Sequence, residues 1–287
     1  MGVILIGGPT CTGKSQAAID IAARCGAAIV SADAMTVYRH LDVGTAKPEE
    51  SVLERFPHAC VNVRDPDQDF SVADFVEAVH LEIERSDHVV IVGGTPFYLA
   101  ALMRPLSVLP SADPSVRESL AEVEDLYEML KKVDPVIADR LHPNDQVRVI
   151  RALEVYKITG QKLSDLQQTP PRNAPLDATV IWLDREGLRE RIDARLTSML
   201  DLGYVDEVRK LLEAGWAPTL KPMKSFAYRH MVAHVLGQET LEESVRKTGR
   251  DTWRLARKQR NWARSMGWTP VSLDEIHTIA RVALDDV

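Results

Sequence analysis

The chain has 287 residues, 45% of them hydrophobic, and a formal net charge of −7. This length and composition allow a sizeable core in one large domain or two smaller ones. The negative charge excludes indiscriminate coating of DNA or anionic membranes, so any contact with nucleic acid must come from a local basic patch.

The cysteine content and the lack of long apolar segments indicate where the protein works. Three cysteines, Cys11, Cys25 and Cys60, are too few and too irregularly spaced for a disulfide framework or a zinc site. No stretch approaches the roughly 20 apolar residues of a membrane span, and no basic leader precedes the first apolar run. We therefore expect a cytoplasmic protein without a membrane partner.

Short apolar runs alternate with helical patterns along the first part of the chain. Residues 3–6, 28–31, 88–92 and 179–183 are strand candidates, and residues 15–25 and 71–85 are helix candidates. Continuous apolar runs are typical of strands buried on both faces of a parallel sheet. The order strand, helix, strand predicts an α/β fold.

The middle of the chain has a different pattern. Residues 111–170 contain several helical patterns and no strand candidate, and Pro110, Pro170 and Pro171 bracket them. We predict a helical insertion domain at 111–170, with residues 1–110 and 171–287 forming the core. Helices are expected to dominate after the strand at 179–183.

The first strand runs into the sequence GPTCTGKS, which matches the phosphate-binding pattern G-x-x-x-x-G-K-[ST] between a strand and a helix. Glycines let backbone N–H groups point inward, and the helix adds its positive end. We expect phosphate to bind the whole loop, with the Ser15 hydroxyl suited to Mg²⁺. Its residues are Gly8, Pro9, Thr10, Cys11, Thr12, Gly13, Lys14 and Ser15. The fold class is therefore α/β, a P-loop NTPase-like parallel sheet core flanked by helices, with an all-helical insertion domain.

The loop alone does not distinguish a diphosphate from a nucleoside triphosphate. Kinases and ATPases with this loop normally hold Mg²⁺ with an acid at the end of a second strand. Here the strand at 88–92 is followed by Gly93, Gly94 and Thr95. This disfavours phosphoryl transfer, although a small-molecule or nucleotide kinase remains an alternative.

An acid follows the second strand candidate. Asp33 lies just past residues 28–31, on the side of an open α/β sheet where ligands bind. It is a candidate general base if its surroundings tune its pKa. From the residues alone, an Asp that caps the next segment is an equal alternative.

Several segments together resemble the bacterial tRNA dimethylallyltransferases, also called tRNA isopentenyltransferases, from the first strand to about residue 265. They are GPTCTGKS, SADAMTVYRHLDVGTAKP, VGGTPFYLAAL, LPSADPSVR, LHPNDQVRVIRALEVYKITG and ARKQRNWAR. The resemblance implies transfer of a dimethylallyl group from dimethylallyl diphosphate to N6 of adenosine 37 of tRNA, beside the anticodon. Prenylation of free adenine nucleotides is a neighbouring alternative, but the insertion and the basic C-terminal half favour a macromolecular acceptor.

The resemblance also implies roles for residues. Asp33 would take the proton of the attacking amine, Thr95 would position the amine or the bridging oxygen, and Mg²⁺ would assist the diphosphate. We expect a monomer that contacts the anticodon stem-loop, whereas the residues alone favour a solvated helix face for the insertion arginines. The implied tRNA contacts are Asp33, Ala34, Met35, Thr36, Thr95, Arg117, Val147, Arg148, Arg151, Lys224, Tyr228 and Arg229.

The chain departs from the family pattern at a few of these positions. Ala34 stands where the family usually has Ser, Thr36 where it often has Gln, and Lys224 where it has Arg. Ala227 replaces a glycine before Tyr228. Lysine lacks the planar fork of arginine. These changes bear on how the target base and its neighbours are read.

Six arginines near the C-terminus step by three or four residues and share one helix face. They are Arg246, Arg250, Arg254, Arg257, Arg260 and Arg264. Like charges so spaced cost roughly 0.2–0.5 kcal/mol per pair unless an anion relieves them. Glu242 is expected to pair with Arg246 and Asp251 with Arg254. An external polyanion and acids from elsewhere in the chain are equal candidates for the rest.

Overall fold

Six strands form one parallel sheet in the computed structural model, which describes residues 2–104, 107–169, 171 and 174–285. The strand order is β3-β2-β4-β1-β5-β6, and every neighbouring pair is parallel. The strands are β1 Gly2–Gly7, β2 Ala28–Ala32, β3 His58–Ala59, β4 His88–Gly93, β5 Thr179–Leu183 and β6 Pro270–Val271. The predicted parallel α/β core is confirmed.

Helices connect and flank these strands. The first four are α1 Lys14–Cys25, α2 Glu50–Arg55, α3 Val72–Arg85 and α4 Pro96–Met103. The next five are α5 Pro114–Ala121, α6 Leu126–Val133, α7 Pro135–Ala138, α8 Gln146–Thr159 and α9 Leu163–Leu166. The last five are α10 Leu188–Asp201, α11 Tyr204–Glu213, α12 Arg229–Val235, α13 Leu241–Ser265 and α14 Leu273–Asp285. No described helix is long and apolar enough to cross a membrane.

The apolar strands are buried because helices cover the sheet. Ile4 and Ile6 of β1 are fully buried and belong to one core cluster with Ile21 of α1 and Ile276 of α14. β1 lies between β4 and β5, with Ile4 opposite Val90. This central position leaves the carboxyl end of β1, where the phosphate loop begins, in the middle of the sheet edge.

The four predicted strands and two predicted helices are present, with bounds that differ by at most one residue. The two-residue edge strands β3 and β6 were not predicted. Helices α10 to α14 dominate the chain after β5, as expected, with β6 between the last two. A strand of two residues is too short to show the period-2 hydrophobic pattern. β3 and β6 are therefore identified only by their pairing with the neighbouring strand.

Residues Met103–Leu176 form a compact unit separate from the unit that contains the sheet. The described residues of this helical unit contain α5 to α9 and no strand. The predicted insertion, 111–170, falls inside it, although its expected end at Pro170 lies outside the described residues. Leu120, Leu130, Val149 and Leu153 are fully buried in its core.

Aspartates at the helix starts organise the helical unit. Asp113, Asp125, Asp134 and Asp145 each accept a hydrogen bond from a backbone N–H in the first turn of the next helix, at 2.9, 2.9, 3.2 and 3.3 Å. Such caps satisfy N–H groups that have no partner within the helix. The recurring Asp therefore divides this segment into short helices.

Candidate active site

The phosphate loop leaves β1 and ends at the first turn of α1. Gly13 occupies the N-cap position with φ 98°, and none of the described side chains caps this helix start. The N–H groups of the first turn are therefore left for a ligand. A Cβ on Gly8 would lie 2.4 Å from the carbonyl oxygen of Leu183, so the loop passes β5 too closely for any other residue.

Lys14 lies across the loop. Its Nζ donates to the carbonyl oxygen of Pro9 at 3.1 Å, and the Thr12 hydroxyl donates to the same oxygen at 3.0 Å. Burial and, secondarily, the positive charge of Arg195 lower the pKa of Lys14 to about 8, although Asp33 acts in the opposite direction. Lys14 is still mostly charged at neutral pH.

Two arginines of α10 join the loop. Arg191 Nε donates to the carbonyl oxygen of Cys11 at 2.8 Å, and Arg195 Nη1 donates to the Thr10 hydroxyl at 3.1 Å. Neither arginine was predicted from the sequence. The one sequence feature that could have indicated them is their spacing. They lie one helical turn apart in the helix that follows β5, and β5 is the neighbour of β1 in the sheet.

Asp33 follows β2, and its carboxylate both closes a local turn and lines the cavity. Its Oδ1 accepts from the backbone N–H of Met35 at 2.8 Å, which closes a local turn. Its charge also acts on Lys14, and it lines the same cavity as the phosphate loop. The Thr95 hydroxyl accepts from the N–H of Ala34 at 3.2 Å, which joins the turn after β4 to the turn after β2.

A cavity of about 630 Å³ opens at this edge of the sheet. It brings together much of the loop and several of the predicted residues after β2. Residues that line it include Thr10, Cys11, Gly13, Lys14, Ser15, Asp33, Met35, Thr36, Arg191, Arg195 and Gln259. The cavity combines one carboxylate, which can accept a proton, with several cations and helix N–H groups, which can stabilise an anion. This combination suits a phosphorylated substrate whose phosphate group departs as an anion.

The described residues contain no group of three or more His, Cys, Asp or Glu side chains that could hold a metal ion. Mg²⁺ does not require one, since it commonly uses one or two protein oxygens together with substrate phosphates and water. Ser15, exposed on the first turn of α1, supplies an oxygen atom of that kind at the cavity.

In the helical unit, two of the predicted tRNA contacts are held by a buried acid. Glu154 is fully buried and accepts from Arg117 Nε at 2.8 Å and from Arg151 Nη1 at 2.6 Å. Burial alone raises the pKa of Glu154, but the hydrogen bonds from the two arginines outweigh it, and the pKa is lowered. Arg117 and Arg151 are therefore structural ion-pair partners, with 49% and 28% of their side chains exposed.

The other two predicted contacts of this unit lie at the start of α8. Val147 is 80% exposed, and Arg148, 72% exposed at its side chain, pairs with its own helix cap, Asp145. Neither side chain is committed to a core, so both are accessible to a partner.

Tyr228 is a correction to the predicted contacts. Its side chain is fully buried, and its hydroxyl donates to Glu207 Oε1 at 2.6 Å. Glu207 also accepts the backbone N–H groups of residues 42–44 at 2.6 to 3.0 Å. Tyr228 thus braces the loop at residues 42–46, part of which lines the cavity, and in this structure its side chain is not presented to RNA. Lys224 is exposed.

The arginines of α13 are only partly free. Arg250 and Arg254 donate to the buried Asp251 at 3.1 and 3.3 Å, and the predicted contact Arg229 pairs with the same carboxylate. Arg260 is bidentate to Asp184. The partner of Arg246 is Glu243, at 4.0 Å, and the expected pairing with Glu242 was wrong.

Acids neutralise part of this arginine face, namely Glu243 and Asp251 of α13 itself and Asp184 after β5. Burial alone raises the pKa of Asp251, but hydrogen bonds from His230, Arg229 and Arg250 outweigh it and hold the pKa far below its usual range. Within the described residues, Arg257 and Arg264 have no acidic partner.

Comparison with known proteins identifies the family. The IPP transferase family matches residues 36–266. A tRNA dimethylallyltransferase 1 of Citrifermentans bemidjiense is 43% identical over 91% of this chain and 88% of its own length. A tRNA dimethylallyltransferase of Geobacter metallireducens is 40% identical over 91% of this chain and 89% of its own.

Two solved structures are similar to this chain in fold. The tRNA isopentenylpyrophosphate transferase of Bacillus halodurans has a TM-score of 0.70 and 30% identity, covering 99% of this chain and 97% of the other. A eukaryotic dimethylallyltransferase acting on tRNA has a TM-score of 0.79 at 24% identity, covering 95% of this chain and 74% of the other, which shows a shared fold. The chain belongs to the IPP transferase family, and the relatives to which it is similar are tRNA dimethylallyltransferases.

Proposed function

We propose that this protein transfers a dimethylallyl group from dimethylallyl diphosphate to N6 of adenosine 37 of tRNA. The observation that carries the proposal is the placement of Asp33 in one cavity with Lys14 and the start of α1. A carboxylate beside a phosphate cradle, with no acid directly after β4, suits alkyl transfer better than phosphoryl transfer. The similar relatives support the acceptor.

The cradle acts on the leaving group. As the carbon–oxygen bond of the allylic diphosphate breaks, negative charge develops on the departing oxygen. The N–H groups of the loop, Lys14 and the α10 arginines stabilise that charge more in the transition state than in the ground state. The released product is diphosphate, and the electron pair of the broken bond stays on it.

Asp33 and Thr95 act at the acceptor. The exocyclic N6 amine forms the new carbon–nitrogen bond and must lose one proton, which Asp33 takes as general base. The Thr95 hydroxyl oxygen accepts from Ala34, so its own hydrogen remains available to donate to the bridging oxygen or the target base. A base stacked in the anticodon loop cannot reach the cavity, so it must flip out.

Mg²⁺ fits the hydroxyl oxygen of Ser15 and would, when bound, add positive charge beside the diphosphate. We further propose that the protein acts as a monomer and, because its acceptor is tRNA, in the cytoplasm. The tRNA contacts proposed are Arg148, Val147 and Lys224, together with Arg229, Arg117 and Arg151 through the exposed parts of their side chains. Ala34, Met35 and Thr36 would surround the target base.

The test is incubation with dimethylallyl diphosphate, Mg²⁺ and unmodified tRNA, followed by mass analysis of the nucleosides. Dimethylallyl-adenosine at position 37 is the expected product. A tRNA whose adenosine 37 is replaced by guanosine is the matched control and should remain unmodified. ATP consumption without a prenylated product would indicate a kinase, and prenylation of AMP but not of tRNA would indicate a small-nucleotide acceptor.

A further inference from the structure

The peptide group between Pro9 and Thr10 has both its polar atoms occupied from within the protein. Its carbonyl oxygen accepts from Lys14 Nζ and the Thr12 hydroxyl. Its N–H donates to Gln259 Oε1 at 3.1 Å. Gln259 comes from α13, 249 residues further along the chain. This peptide therefore has no N–H left for a phosphate oxygen.

The occupied peptide lies at one particular end of the cradle. In loops of this pattern the first-turn N–H groups of the helix hold the inner phosphates, and the lysine reaches the outer ones. Lys14 Nζ contacts Pro9, so the Pro9–Thr10 peptide marks the outer end. The N–H groups at the start of α1 mark the inner end and carry no cap from a described side chain.

The orientation of the Gln259 amide is fixed by its second hydrogen bond. Its Nε2 donates to the carbonyl oxygen of Gly94 at 2.7 Å, so Oε1 must face the Thr10 N–H. Gln259 is buried, with 4% of the residue exposed, and a Cβ on Gly94 would lie 2.5 Å from Nε2 and 3.0 Å from the Gly8 carbonyl oxygen. The glutamine is thus clamped between the phosphate loop and the turn after β4.

We propose that Gln259 determines the phosphate specificity of the loop, closing its outer end so that a diphosphate fits and a triphosphate does not. This deepens the proposed function and rests on it for the identity of the natural diphosphate. A third phosphate would have to displace Gln259 Oε1 from the Thr10 N–H or place a phosphate oxygen against Oε1. The second arrangement is unfavourable because both oxygens are hydrogen-bond acceptors. Arg191 and Arg195 attract either ligand, so charge alone gives no such preference.

The same side chain links the two substrates' sites. Gly94 precedes Thr95, whose N–H donates to Ala32 and whose hydroxyl accepts from Ala34. A continuous path of hydrogen bonds therefore runs from the loop through Gln259 to the turn that carries Asp33. Gln259 is in this respect a positioning residue, which sets the distance between leaving group and base.

The experiment measures binding of inorganic pyrophosphate and of tripolyphosphate to the full chain by calorimetry, each with Mg²⁺. The unaltered protein should bind pyrophosphate more tightly. Gln259→Ala, which removes the acceptor and opens space, should shift the ratio of the two affinities about tenfold toward tripolyphosphate, about 1.4 kcal/mol. Gln238→Ala, the same change at an exposed glutamine between α12 and α13, is the control and should leave the ratio unchanged.

Two further variants keep the proposal testable if the alanine variant does not fold. Gln259→Leu keeps most of the volume but frees the Thr10 N–H, and it should also shift the ratio toward tripolyphosphate. Gln259→Glu keeps an acceptor at Thr10 but adds negative charge, so it should weaken both ligands without that shift. An unaltered protein that binds both ligands equally, or a ratio within twofold of the unaltered value in both the alanine and leucine variants, overturns the proposal.

These outcomes are independent of the transfer assay. Absence of prenyl transfer together with the predicted shift in the affinity ratio would reject the proposed reaction and retain the role of Gln259. Prenyl transfer with an unchanged affinity ratio would retain the proposed reaction and reject the role of Gln259.

Discussion

The cavity and the basic surfaces of this protein hold positive charge in different ways. In the cavity, Lys14, Arg191 and Arg195 donate mainly to neutral backbone and hydroxyl oxygens of the loop. On the surfaces, arginines surround single buried acids, Glu154 in the helical unit and Asp251 in α13. Within the described residues, the three cations of the cavity therefore have no ion-paired acid, whereas ion pairs neutralise part of the positive charge on the surfaces.

Replacing the proposed general base should have the largest effect on turnover. Asp33→Asn keeps an oxygen that can accept from the Met35 N–H, so the local turn persists while the proposed base is lost. Turnover should fall about 10²- to 10⁴-fold, with tRNA affinity within about threefold of the unaltered protein. Single-turnover kinetics and filter binding measure the two quantities. Near-normal turnover in this variant would remove Asp33 from the mechanism.

Removing a buried acid should show how much of the surface charge is structural. Glu154→Ala leaves Arg117 and Arg151 without their carboxylate and should lower the stability of the helical unit by about 2 kcal/mol, measured as a lower denaturation midpoint. Glu118→Ala, an exposed acid on α5, is the control and should change stability by less than about 0.5 kcal/mol. Equal stability of the two variants would show that the ion pairs of Glu154 contribute no net stability to the helical unit.

The pKa of Lys14 predicts a pH dependence of diphosphate binding. Because the pKa is about 8 in the folded protein, pyrophosphate affinity should fall about tenfold per pH unit above that value. Lys14→Met should bind weakly at pH 7, and its pH profile should contain only the titration of the ligand. Calorimetry from pH 6.5 to 9.5 gives both profiles, and identical slopes would show that Lys14 does not titrate in this range.

The same shift predicts the sign of a stability change. The pKa of Lys14 is lower in the folded protein than its ordinary 10.5, so the unfolded chain binds more protons between about pH 8 and 10.5. The contribution of Lys14 to stability therefore becomes more favourable as pH rises through that window. Below about pH 8 the desolvated Lys14 is charged and lowers the free energy of unfolding. At such a pH, and without a bound anion, Lys14→Met should therefore unfold at a higher denaturant concentration than the unaltered protein.

Charge reversal on α13 should have the smallest and most specific effect. Arg254→Glu with Arg257→Glu should weaken tRNA binding and reduce the slope of its salt dependence by about two, one for each lost phosphate contact. Arg24→Glu with Arg85→Glu changes the net charge equally at exposed positions of α1 and α3 and is the control. An unchanged slope in the α13 variant would reject this face as an RNA surface.

The sequence by itself determined the features that lie within short windows. The apolar runs predicted four strands of the sheet, and the pattern GPTCTGKS predicted the loop between β1 and α1. Hydrophobic periodicity and backbone turn chemistry are local, so they can be read without knowing the fold. The quoted motifs also sufficed to indicate the family, which the comparisons confirmed.

Only the tertiary structure decided which side chains meet. Gln259 reaches Thr10 across 249 residues, and Arg195 reaches it across 185, separations at which sequence spacing carries no geometric information. The burial of Tyr228 and the pairing of Arg117 with Glu154 likewise depend on packing. The availability of a polar group depends on whether folding brings a partner within hydrogen-bond distance, and that is a property of the assembled fold.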